Sequence, residues 1–534
     1  MNYRFLAVAV AAVVVAAGCA TQNGTDITDE AAVHALELEL AAIYRTDVFD
    51  ESAAEIVAFD ATTGRTVFVN ANDSELQILD ASAQLVDRIS FDSGAANSVA
   101  IAGGLIAVAV EADPTQDPGR VYFLESDGTI VSSVQVGSLP DMVALTPDGS
   151  YALVANEGEP TDDYRVDPDG SVSIIDLSAG ARNVTQADVT TVTFAQSDVQ
   201  GDPVRVAPIA ASFQADLEPE YIAVDQDGEF AYVAFQENNA IAKIAIAGGT
   251  VEFIKSLGYK DHSVDGNGLD ASNEDGEINI QTWPVRGLYM PDAIDVVRID
   301  GEDYILTANE GDSREYETGD FAYIDESRIG DDEIVLDPTT FPNASALRED
   351  ANLGRLKILN TEGDVDGDGD YDELYIMGAR SFSIWNSDLE LVFDSGDTFE
   401  RTIAARYPDS FNVSNDNLAF DDRSDDKGPE PEAVVVGEIH GNLYAFIGSE
   451  RFGGIFIYDI TVPSRAIMVD YVTARNFSAA VNEDLEYDDT GFDNTGELGP
   501  EGFAFVPADQ SPNGVAWLIV GSEVSGSVSF YEVR

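Results

Sequence analysis

Pro140-Asp-Met-Val-Ala-Leu-Thr-Pro-Asp-Gly149, Tyr151-Ala-Leu-Val-Ala-Asn-Glu157 and Gly170-Ser-Val-Ser-Ile-Ile-Asp-Leu177 read in succession as a strand, an Asp-Gly turn, a second strand, a polar loop and a third strand. The unit recurs. Pro219-Glu-Tyr-Ile-Ala-Val-Asp-Gln-Asp-Gly228 precedes Phe230-Ala-Tyr-Val-Ala-Phe235, and Pro291-Asp-Ala-Ile-Asp-Val-Val precedes Tyr304-Ile-Leu-Thr-Ala-Asn-Glu310. Glu432-Ala-Val-Val-Val leads to Leu443-Tyr-Ala-Phe-Ile-Gly448, and Pro500-Glu-Gly-Phe-Ala-Phe to Trp517-Leu-Ile-Val-Gly521. Looser copies start near Glu55, Asn97 and Leu356. Self-similarity at this period marks a radial β array, each copy one four-stranded sheet that buries its faces against its neighbours. The chain is therefore expected to be all-β, a β-propeller of eight blades by repeat count. Seven is the alternative count, because the Leu356 copy is the weakest. A strand near Glu39–Tyr44 is expected to complete the last blade and lock the ring.

Outward from the repeats, the N-terminus differs in kind. Met1-Asn-Tyr-Arg4, an apolar run from Phe5 to Ala17 and Gly18-Cys19 have the order of a secretory signal, and the run is too short to span a membrane. Ala16-Ala-Gly-Cys19 resembles a lipobox, and Cys19 is the chain's one cysteine. Residues 1–18 are thus expected to be a lipoprotein signal peptide, 19–32 an acylated cysteine and tether, and 33–534 one propeller domain. That places the protein outside the cytoplasm, held to the bacterial envelope by acyl chains alone. Ala20 favours the outer membrane.

The charge excludes one large class of partner. Asp and Glu number 99 against 27 Lys and Arg, for a net charge of −72 over 534 residues. Such a surface repels nucleic acid and attracts divalent cations. Its excess of acid and scarcity of lysine also fit a protein kept hydrated in high salt. No lysine follows a glycine, so no phosphate-binding P-loop exists, and His34, His262 and His440 show no zinc spacing.

Two acidic patterns carry chemistry. Asp364-Val-Asp366-Gly-Asp368-Gly-Asp370-Tyr-Asp372 places carboxylates at alternate positions, with glycines where a tight loop must turn. Hard oxygen donors in a flexible loop suit calcium. The EF-hand's bidentate Glu is missing, since Tyr375 stands at that place, and a strand follows where an EF-hand has a helix. The second pattern follows from blade topology. Glu55, Asp141, Glu220, Asp292, Glu432 and Glu501 begin inner strands, so they should ring one mouth of the channel. The loops after the second strands add Asn156, Glu157, Glu159, Asn309, Glu310, Asp312, Glu450 and Glu523. Arg380 and Arg451 are expected at the same mouth, where a guanidinium fork can take phosphate or carboxylate.

Ala155-Asn-Glu-Gly-Glu-Pro160, Gly268-Leu-Asp-Ala-Ser272, Gly378-Ala-Arg-Ser-Phe-Ser-Ile-Trp385, Asp421-Asp-Arg-Ser-Asp-Asp-Lys-Gly-Pro-Glu430 and Leu498-Gly-Pro-Glu501 resemble the choice-of-anchor I proteins. That family is similar to mesenchyme-specific cell-surface glycoproteins linked to calcified skeletons, and some members carry an alkaline-phosphatase label. The resemblance implies an extracytoplasmic, calcium-associated propeller. Two functions follow as expectations: calcium-dependent binding of a phosphorylated, carbohydrate or other surface ligand, or metal-dependent phosphoester hydrolysis at the acidic mouth.

Overall fold

A computed structural model of the chain describes residues 36–91, 94–482, 485–487 and 494–534. The expectations for the signal peptide, Cys19 and the tether lie outside them.

Short β-branched runs alternate with Asp-Gly and Asn-rich turns, and each set of four pairs antiparallel into one sheet. The first blade is Val57–Asp60, Arg65–Asn70, Glu75–Leu79 and Leu85–Ser90. The second is Ala96–Ala102, Leu105–Val110, Pro118–Glu125 and Ile130–Ser138. The third is Pro140–Leu145, Tyr151–Asn156, Ser171–Asp176 and Val189–Thr193. The fourth is Ile222–Val224, Phe230–Phe235, Ala240–Ala245 and Thr250–Ser256. The fifth is Ile294–Ile299, Glu302–Asn309, Ser381–Asn386 and Leu391–Asp394. The sixth is Pro431–Ile439, Asn442–Ser449, Ile455–Asp459 and Ile467–Val472. The seventh joins Pro500–Val506, Ala516–Ser522 and Ser527–Val533 to Leu38–Arg45, which runs antiparallel to Ser527–Val533 from Leu38 opposite Val533 to Arg45 opposite Ser527.

Among the described residues there are seven four-stranded blades, the alternative count, which corrects the eight given by counting repeats. Inner strands touch in the cyclic order of the blades, and the seventh meets the first. The copy near Leu356 forms no blade. Its strand Lys357–Leu359 pairs only with Glu326–Arg328, inside the long connection between the second and third strands of the fifth blade. There Leu353, Leu356 and Ile358 join Leu269, Ile329 and Leu374 in a separate apolar cluster beneath the insertions. The repeat-like apolar run serves a cap core.

The ring is held by what lies between blades. Val67, Val69, Leu76 and Ile78 of the first blade pack on Val99, Ile106 and Val108 of the second. Trp517, Ile519 and Phe530 of the seventh pack on Phe68 of the first. Each remaining junction has its own cluster; in that of the fifth and sixth blades Phe399 stacks on Phe456 at 3.9 Å. Each fully buried aliphatic or aromatic side chain contributes about 1.5–3 kcal/mol.

Candidate functional site

One local device sets the mouth. Near the start of each inner strand, two residues oppose one on the second strand, a β-bulge. In the third blade Pro140 pairs with Asn156 and Met142 with Ala155, so Asp141 is left over. In the second blade Asn97 is left over in the same way. In the fifth blade the Asp292 N–H donates to the Ala308 carbonyl, whose own N–H donates to Ala293. Glu220 repeats this with Ala234, and Glu55 with Val69. A bulge re-aims a side chain, and here it repeats around the ring. Glu55, Asn97, Asp141, Glu220, Asp292, Glu432 and Glu501 hold equivalent places, one per blade.

All of these except Glu432 line one cavity of about 360 Å³, together with Glu157, Glu159, Glu237 and Asp312. No lysine, arginine or histidine lines it. Burial and, next, the charges of Glu159 and Glu111 push Asp141 up to about 7. Burial, with Glu523 and Asp141 beside it, pushes Glu55 up to about 8. Burial and neighbouring carboxylates raise Glu157, Glu220, Asp292, Glu432 and Glu501 well above the usual carboxylate range. One carboxylate oxygen each of Glu220, Glu237, Glu432 and Glu501 is buried with no hydrogen-bond partner. Glu55, Glu501 and Glu523 each bring an oxygen within 4.8 Å of the other two. Lys427 reaches only its rim, 3.6 Å from Asp312, and a crowd of acids so short of bases holds protons or takes cations.

Beside this cavity lies a second of about 330 Å³, of mixed charge, lined by Glu159, Asp312, Arg314, Lys357, Arg423, Lys427 and Arg451 among others. Its bases reach three buried carboxylates that do not line it, Glu310, Glu430 and Glu450, also within 4.8 Å of one another. Lys427 Nζ lies 2.7 Å from Glu310 and 3.5 Å from Glu430. Arg451 Nε sits 3.0 Å from Glu450 and 3.4 Å from Glu430. Burial opposes ionisation of Glu430, but Arg423, Lys427 and Arg451 outweigh it and hold its carboxyl below the usual value. Sequence reasoning did not assign Arg423, Lys427 or Glu430 to the site. They stand in the Asp421–Glu430 block, which lends Arg423, Asp426 and Lys427 to the second cavity, and only that block's resemblance signalled them.

Three expected mouth residues are placed elsewhere. Arg380 is 3% exposed and both of its terminal guanidinium nitrogens are engaged: they donate to Glu400 at 2.6 Å and to the carbonyls of Asp270, Ser424 and Asp426, while its Nε is buried without a partner. It lines neither cavity, so its expected anion-binding role is corrected to a structural one. Asn156 is buried, donating to Ser171 and Ser173 and accepting from the Gly137 N–H. Asn309 likewise donates to Ser383 at 2.8 Å. Both bind the second strand to the third.

The aspartate loop lies far along the insertion of the fifth blade. Asp364 accepts from the N–H groups of Gly367, Asp368 and Gly369, and Asp372 from that of Val365. Gly367 and Gly369 have φ of 77° and 97°, which L side chains adopt at a cost. The curl gathers oxygens of Asp364, Asp366 and Asp372 within 4.8 Å. Asp368 and Asp370 fall outside that trio. The charge of Asp368, next to Asp366, raises the Asp366 pKa. An all-oxygen trio on a preformed loop, Asp364 and Asp366 exposed and Asp372 half-buried, fits a hard cation.

A family model, the choice-of-anchor I domain, matches residues 55–463. The chain belongs to the choice-of-anchor I family. Among its relatives, Gigasin-3a of Magallana gigas is 33% identical over 205 residues, which is 35% of this chain and 67% of that protein. A mesenchyme-specific cell surface glycoprotein of Strongylocentrotus purpuratus is 31% identical over 278 residues, which is 47% of this chain; the match spans 35% of the glycoprotein's length. Two solved structures overlay most of this choice-of-anchor I chain. Kuenenia stuttgartiensis hydrazine synthase does so at 13% identity and a TM-score of 0.44, covering 91% of this chain and 97% of that one. The β-propeller domain of Myceliophteria thermophila Cps50 (Swd1) does so at 9% identity and 0.44, covering 93% and 100%.

Proposed function

We propose that this protein is a surface-exposed binding propeller that takes divalent cations, calcium foremost, at its acidic mouth and at the Asp364–Asp372 loop, and holds its ligand through them. The single observation carrying this reading is the 360 Å³ cavity, whose lining includes nine carboxylates and no basic side chain. Unpaired buried carboxylates are costly. A divalent ion offsets that cost and leaves coordination positions for phosphate, carboxylate or sugar hydroxyls. In this reading Glu55, Glu501 and Glu523 hold one ion, and Asp364, Asp366 and Asp372 hold another. The relative described as a cell surface glycoprotein supports a surface location. The lipobox at Cys19 supports attachment through acyl chains to the envelope of a bacterium, with the outer membrane as destination. The test is isothermal titration of calcium into cation-stripped protein. Binding that weakens in Glu501→Gln, with the fold intact by circular dichroism, supports the reading; equal binding by both proteins removes the mouth from it.

The second cavity favours one other reading, metal-dependent phosphoester hydrolysis. Arg451, Lys427 and Arg423 supply cations for a phosphoryl group directly beside the Glu310, Glu430 and Glu450 trio. Turnover of p-nitrophenyl phosphate in calcium, lost on chelation and in Arg451→Ala, is expected under that reading. Hydrolysis no faster than in Arg451→Ala rejects it for this substrate.

A further inference from the structure

A second group of acids lies apart from both the mouth cavity and the aspartate loop. Asp270 and Asp421 are 0% and 1% exposed, and neither forms an ion pair among the described residues. The nearest guanidinium, Arg380, is committed to Glu400 and to backbone carbonyls. A continuous chain of contacts joins Asp270, Glu400, Asn412, Ser424 and Asp421, and the Asp275 carboxylate acts on both Asp270 and Asp421 through its charge. The Asp270 N–H donates to Glu400, Asn412 Nδ2 donates to Glu400 and to Ser424 Oγ, and Ser424 Oγ donates to Asp421.

Three oxygens in this group have no partner. They are Asp421 Oδ2, Asp275 Oδ2 and the carboxamide Oδ1 of Asn412, a residue 0% exposed. Buried polar atoms are satisfied in the great majority of cases, so three orphans in one acidic group, all acceptors, ask for a donor of positive charge. Asn412 is the independent witness. It carries no charge, its amide nitrogen is already used against Glu400 and Ser424, and its free oxygen belongs to the same network as the acids. Burial and the neighbouring charges of Asp270, Asp275 and Glu400 push Asp421 up to about 8. Burial does most to push Asp270 up to about 7, against the N–H of Asn279.

We propose that Asp270, Asp275, Asp421 and Asn412 form a buried site for a hard divalent cation, calcium by its all-oxygen donor set, which pins the 262–283 insertion to the 411–424 segment. Calcium accepts six to eight oxygens of mixed type, carboxamide included, whereas magnesium keeps several waters and suits a buried cage less. The site is separate from the ligand-binding mouth, and its ion would be structural.

The experiment uses the full chain, saturated with calcium and then passed through calcium-free buffer before metal analysis. An ion at this buried site is expected to stay, beyond any that the mouth retains, while the exposed Asp364–Asp372 loop empties. Asp421→Asn and the half-buried Asp275→Asn are expected to lose the retained ion, and Asp366→Asn to keep it. Hydrogen exchange on the unmutated protein gives a second readout: peptides covering 270–279 and 411–424 should exchange at least tenfold more slowly with calcium than after chelation. No retained calcium in the unmutated chain, or equal exchange of those peptides with and without calcium, overturns the proposal. So does an ion kept undiminished in a folded Asp275→Asn variant.

Discussion

The orientation of single side chains separates the residues that hold the propeller together from those free to bind. Arg380 and Glu400 are 2% and 1% exposed in their side chains and lie 2.6 Å apart. Removing one partner of such a pair leaves a buried charge alone, at a cost of about 3–5 kcal/mol. Arg380→Ala is therefore expected to lower the Tm sharply by calorimetry, and Arg451→Ala to lower it less, because Arg451 is a third exposed and Glu430 keeps Arg423 and Lys427 as partners. At the aspartate loop, Asp366→Ala combined with Asp368→Ala should melt like the unmutated protein after chelation. It should fail to gain the stability that saturating calcium gives the unmutated protein; equal Tm values in calcium count against the loop. At this scale the sequence was only partly legible. The Asp364–Asp372 spacing announced its own curl, because aspartate and glycine dictate local turns. Arg380 did not announce its burial, since its partner Glu400 is twenty positions away and its carbonyl partners lie in two separate insertions.

The inner-strand bulge is the element that turns a repeat into a site. Pro before Asp or Glu is what the sequence displays, and the bulge that follows aims the acid into the channel. Close approach of backbones at these bulges also explains some glycines. A Cβ on Gly521 would stand 1.8 Å from the Glu55 carbonyl oxygen, where the seventh blade meets the first. Gly521→Ala is expected to destabilise by a few kcal/mol, about the cost of overpacking, read as a lower denaturant midpoint. Gly514→Ala, which meets open space but has φ of 76°, should cost less. Blade strands such as Tyr151–Asn156, Phe230–Phe235 and Ala516–Ser522 were readable because each is an almost wholly buried apolar run of six or seven residues. The eighth copy misled because Leu356 and its neighbours are as apolar as a blade strand. They pack under a cap whose other half, Leu269 to Val285, is some seventy residues earlier.

Across the whole molecule there are 99 acids against 27 bases, and the mouth gathers nine carboxylates around one cavity with no basic side chain in its lining. Glu55 and Asp141 go from about 4.5 and 3.8 unfolded to about 8 and 7 folded. A raised carboxyl pKa means the folded state binds the proton more tightly. Its stabilising contribution is full below the unfolded pKa and is lost as pH rises through the folded one. In chelator, the Tm is therefore expected to fall between pH 5 and pH 9, and calcium should flatten that fall by replacing the protons; a fall unchanged by calcium would argue against cations at the mouth. The net charge was plain in the composition, yet its concentration was not, because it depends on seven bulges facing one axis. The most direct measurement is an anomalous difference map from crystals soaked in a lanthanide that mimics calcium. Peaks inside the ring, against Glu55, Glu501 and Glu523, are expected. A mouth without a peak, in crystals whose Asp364–Asp372 loop is occupied, would contradict the account.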